Sequence, residues 1–109
     1  MLTKKRNIII VECRSTGINY IEDLINRGYN PVVLEVHYGD SEVSQQYHEL
    51  SVSEYESIKY DFDMIYEQDT YEATLNEVKK WDPLLVLPGN EGGVVLASKL
   101  AHDLGLICN

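Results

Sequence analysis

Four β-branched residues in a row, Ile8-Ile9-Ile10-Val11, constrain this chain more than any other feature. A strand points successive side chains to opposite faces, so an unbroken apolar run has to be covered on both sides. The central strand of a mostly parallel sheet meets that demand. Residues 7–12 (NIIIVE) are therefore read as the central strand. After the turn Cys13-Arg14-Ser15-Thr16-Gly17, apolar residues recur at helical spacing (Ile18, Ile21, Ile25, with Tyr20 and Leu24 beside them), and Gly28 offers the left-handed stop a helix end wants. Residues 31–36 (PVVLEV) read as a second strand, with Pro31 acceptable at its first position. Strand, helix, strand makes a βαβ unit.

Residues 39–60 turn polar and acidic, and their apolar positions fit no period, so they are read as loop with weak helical character. Phe62, Met64 and Tyr66 alternate with polar neighbours as a short third strand near the sheet edge. Asp69, with Glu72 three residues on, opens a helix whose buried stripe is Tyr71, Leu75 and Val78, running to Trp81 and stopped by Asp82-Pro83. Residues 84–87 (LLVL) form a second fully buried strand, followed by the turn Gly89-Asn90-Glu91-Gly92-Gly93. Val94, Ala97, Ala101 and Leu104, flanked by Leu96 and Leu100, trace one more helix face before Gly105. Residues 106–109 read as the beginning of a fifth strand, which points to a piece of a longer protein, the alternative being a carboxyl terminus that pairs briefly at the sheet edge. The expected fold is α/β: a Rossmann-like, open, mostly parallel sheet of four to five strands, order 3-2-1-4(-5), with helices on both faces.

The chain's 109 residues suit one domain, residues 1–109, and leave no room for a second. No apolar run approaches the about 20 residues of a membrane-spanning helix, and the basic start is followed by too short an apolar stretch for a secretory signal, so a cytoplasmic protein without a membrane partner is expected. Eighteen acidic against nine basic residues, a net charge of −9, repel phosphates and speak against nucleic acid. The two cysteines, Cys13 and Cys108, form no CxxC pair, and His37, His48 and His102 stand at no metal-ligand spacing, so no metal site is nominated. Neither Cys13 nor Ser15 has a placeable base, and no catalytic residue is nominated.

In open α/β sheets ligands gather beyond the carboxyl ends of the strands, where the winding direction reverses. With order 3-2-1-4 that crevice lies between the first and fourth strands, whose exit turns carry the candidate substrate-binding residues Arg14, Ser15, Thr16, Gly17, Asn90, Glu91 and Gly92. In the first turn, hydroxyls and N–H groups at a helix start, with Arg14, suit a phosphate or carboxylate; the same Ser and Thr also serve as ordinary caps. In the second, the glycines let a ligand or a neighbouring backbone come close, and Glu91 can accept from an amine or hydroxyl or simply favour the helix dipole. Neither turn is GxGxxG or GxxxxGK[ST], so neither NAD nor autonomous ATP binding is expected.

Residues 82–109, DPLLVLPGNEGGVVLASKLAHDLGLICN, resemble the close of the pre-ATP-grasp domain (the biotin carboxylase N-terminal-like lobe) of ATP-grasp carboxylate–amine ligases: a strand, a turn with Gly and Glu, a helix of the form A-x-x-L-A-x-x-L-G-L, a short apolar segment and Asn. The opening βαβ unit is similar to the family's first. The resemblance spans the chain apart from residues 39–60. It implies an amino-terminal substrate-positioning lobe of a ligase that phosphorylates a carboxylate and lets an amine displace the phosphate, with ATP and Mg²⁺ held by a downstream ATP-grasp domain. It also implies that Glu91 matches an acid contacting the acceptor substrate and that Arg14 to Gly17 stand in place of the family's first glycine loop, with fewer glycines. The family's phosphate-binding lysines and metal-binding acids have no counterparts here, so the isolated chain is expected to be inactive.

Two rival readings stand beside it. Ser15-Thr16-Gly17-Ile18-Asn19 is similar to the flavodoxin phosphate loop, which would make FMN the ligand. The tyrosines Tyr47, Tyr55, Tyr60 and Tyr66 would instead serve a non-catalytic homodimer or partner surface.

Overall fold

The computed structural model describes residues 5–12, 18–36, 62–89 and 93–106. They form a four-stranded, all-parallel sheet of β1 (Asn7–Val11), β2 (Asn30–Glu35), β3 (Asp63–Tyr66) and β4 (Leu85–Pro88), in the order β3-β2-β1-β4. Among the described residues three helices accompany it: α1 (Ile18–Asn26), α2 (Tyr71–Lys79) and α3 (Val94–Asp103). The α/β class, the parallel pairing and the order 3-2-1-4 are those the sequence implies; residues 107–109 of the expected fifth strand lie outside the described residues.

β1 is the centre of the sheet, and its apolar run is covered as the pattern demands. Ile9 and Val11, with Val32, Leu34, Ile65 and Val86 beside them, pack on α2 and α3 through Val78, Ala97, Leu100 and Ala101. Ile10 and Val33 face the other way, onto Ile21 of α1. Helices fall on opposite faces because crossovers between parallel strands are right-handed: α1 leads outward from β1 to β2, whereas α2 leads back from β3 across to β4.

Glycine ends two helices where a left-handed residue is required. Gly28 (φ 89) follows α1, with the Tyr29 N–H bonded to the Leu24 carbonyl at 2.9 Å; Gly105 (φ 70) follows α3, with the Leu106 N–H on the Ala101 carbonyl at 2.8 Å. Both closures satisfy helix-end carbonyls that would otherwise lack donors.

Several local expectations are corrected. The cap of α2 is Thr70, whose hydroxyl accepts from the Ala73 N–H at 3.1 Å, not Asp69, because Thr70 stands three residues before that donor. β4 is shifted by one residue and takes in Pro88, which pairs with Val11. Only Val86 of β4 is buried rather than the whole strand; among the described residues β4 pairs with β1 alone. In β3 the apolar Ile65 interrupts the expected alternation with polar neighbours and is the buried residue, while Phe62 and Met64 are half-buried against the opposite face. Val94 is 46% exposed at the start of α3 instead of joining its buried face. Among the described residues no helix is long and apolar enough to cross a membrane.

Side chains close the amino ends of the strands. The Asn30 amide donates to Asn7 Oδ1 at 2.8 Å and to Asp63 Oδ2 at 3.1 Å, and the Asn7 amide donates to the Trp81 carbonyl at 2.6 Å. One polar rung thus crosses β3, β2 and β1 and reaches the approach to β4.

Candidate functional site

The winding direction reverses between β1 and β4, since the chain leaves β1 for β2 on one side and returns from β3 to β4 on the other. The carboxyl ends of these two strands bound the crevice in which such folds take ligands. What positions them is main-chain contact. The Gly89 N–H donates to the Val11 carbonyl at 2.7 Å, extending the ladder one residue past Pro88. On the far side of the turn, Gly93 is packed so tightly on β1 that a Cβ there would lie 2.4 Å from the Val11 oxygen and 3.0 Å from its carbonyl carbon. Both flanks of residues 90–92 therefore rest on the last residue of the central strand.

The nominated residues themselves, Arg14, Ser15, Thr16, Gly17, Asn90, Glu91 and Gly92, lie outside the described residues. Their described neighbours are brought together: Glu12 leads into the first turn, and Gly89 and Gly93 frame the second. Of the two uses the glycine-rich turn allows, close approach of a neighbouring backbone is the one Gly93 fulfils. Because α3 starts immediately after Gly93, its first N–H groups open at the carboxyl end of β1, where they favour negative charge.

Glu12 stands in the left-handed region at φ 58, a conformation costing a non-glycine residue roughly 1–2 kcal/mol. Its main chain stays in the ladder nonetheless, the N–H donating to the Leu34 carbonyl at 2.8 Å. Glu12 is 3% exposed, and Glu35, one residue beyond the paired Leu34, is 6% exposed. Two buried carboxylates thus end neighbouring strands. The strain and burial at Glu12 were not recognised from the sequence, although an acid closing each apolar run, NIIIVE and PVVLE, was the available signal.

α2 meets α3 through a second polar group. The Tyr71 hydroxyl donates to Asp103 Oδ2 at 2.5 Å with the Lys99 carbonyl 3.2 Å away, and the Lys99 ammonium lies 4.0 Å from the ring centroid. Burial of the phenol, helped by the hydrogen bond and negative charge of Asp103, pushes its pKa from 10.0 up to about 12.

Among the described residues, no group of three or more His, Cys, Asp and Glu side chains is placed to hold a metal ion. Of the tyrosines assigned to a contact surface, Tyr66 is 53% exposed on the edge strand β3, and Tyr47, Tyr55 and Tyr60 lie outside the described residues. Comparison of the chain with family models, curated proteins and solved structures finds no match.

Proposed function

We propose that this chain is an amino-terminal, substrate-positioning lobe of a cytosolic ATP-dependent ligase joining a carboxylate to an amine, with its ligand crevice between the carboxyl ends of β1 and β4. The observation that carries the reading is the seating of Gly89 and Gly93 on Val11, which sets these two glycines and the start of α3 beside the carboxyl end of β1. A helix start there suits a small carboxylate. The family resemblance supplies the rest: the carboxylate oxygen attacks the γ-phosphorus of ATP with loss of ADP, and the amine then attacks the acyl carbon with loss of phosphate. ATP and Mg²⁺ enter only through the downstream domain. Acyl phosphates hydrolyse readily, and a lobe that closes over the site and excludes water gives this chain a physical role without catalytic groups of its own.

Strand order favours this reading over the FMN rival. In the flavodoxin arrangement the third strand lies beside the first, whereas β3 here lies outside β2.

The test uses the purified chain. It should release no phosphate from ATP in the presence of small carboxylates and amines. Titration with acetate, glycine and ethylamine should move the amide resonances of Glu12, Gly89 and Gly93 and leave those of Asn7 and Asn30 in place. Turnover by the chain alone, bound flavin absorbance, or shifts confined to the amino ends of the strands would each overturn the proposal.

A further inference from the structure

We draw no further inference here: the strongest candidate, the pair of buried carboxylates Glu12 and Glu35 at the carboxyl ends of β1 and β2, is an acidic cluster whose members both have partners within the chain and to which no second observation adds a ligand.

Discussion

Asn7, Asn30 and Asp63 tie the amino ends of β1, β2 and β3 together side chain to side chain, whereas at the carboxyl ends Gly89 hydrogen-bonds the Val11 carbonyl and Gly93 packs against that same carbonyl. The amino end directs its amide groups to one another and to the Trp81 carbonyl. Polar atoms used in this way hold strands in register and have little capacity left for a ligand. At the carboxyl end, fastening by glycine fixes where a turn begins and ends while using no side chain. The contrast matches the division common to α/β folds, in which one end of the sheet serves stability and the other serves ligands.

The comparison breaks most readily at Gly93. Gly93→Ala would drive a methyl group to 2.4 Å from the Val11 oxygen, a backbone atom of the central strand that cannot swing aside. The expected loss is about 3 kcal/mol, at the upper end for overpacking, read as a lower denaturation midpoint. A near-native midpoint would mean that α3 and β1 separate freely and that the main-chain fastening is weak.

Asn7→Ala probes the opposite end. It leaves the Trp81 carbonyl without its donor and removes one acceptor of Asn30, so a loss of about 2 kcal/mol is expected in urea denaturation. Amide shifts at Glu12, Gly89 and Gly93 should be unchanged; if they move, the two ends are coupled and the division of labour fails.

Thr70→Ala sharpens the picture, because side-chain fastening does occur on the carboxyl side where β3 leads into α2, away from the reversal point. Losing the cap should cost about 1 kcal/mol. Hydrogen exchange of the first turn of α2 should report it, with the first turn of α3 serving as the control.

The smallest effect is expected at Tyr71→Phe, which removes the hydroxyl bonded to Asp103 but keeps the ring. About 0.5 to 1 kcal/mol at neutral pH is appropriate for one neutral donor on a carboxylate near the surface. The pH dependence is the more telling readout. Because the folded phenol titrates at about 12 instead of 10.0, its contribution is complete below pH 10 and is lost as pH rises toward 12. The Phe variant should lack that component of the alkaline decline, and an identical profile in both proteins would dismiss the Asp103 contact.

The strand order was legible because the four-residue run at Ile8 to Val11 demands cover on two faces and the glycines at 28 and 105 stop helices where the periodicity ends. The adjacency of the carboxyl ends of β1 and β4 followed from that order. What escaped were features decided by neighbours far away in sequence. Pro88 belongs to a strand through its pairing with Val11, on what is the outer strand among the described residues, and Val94 is exposed at the first position of α3. The Asn7–Asn30–Asp63 rung has no local signature, and the strand-end glutamates show only as acids closing apolar runs, with nothing local to say that they are buried. They acquire meaning once β1, β2 and β3 are side by side.

The place of β1 also has a consequence for biosynthesis. Its partner β2 is complete by Glu35, but β4, which covers its other edge, begins only at Leu85, about 50 residues later. At typical elongation rates of roughly 5–20 residues per second, the nascent chain carries an apolar strand with one open edge for several seconds. Such an edge is a template for pairing with another chain. Chaperone engagement at the ribosome should therefore be greatest before Pro88 emerges and should fall once α3 can seat.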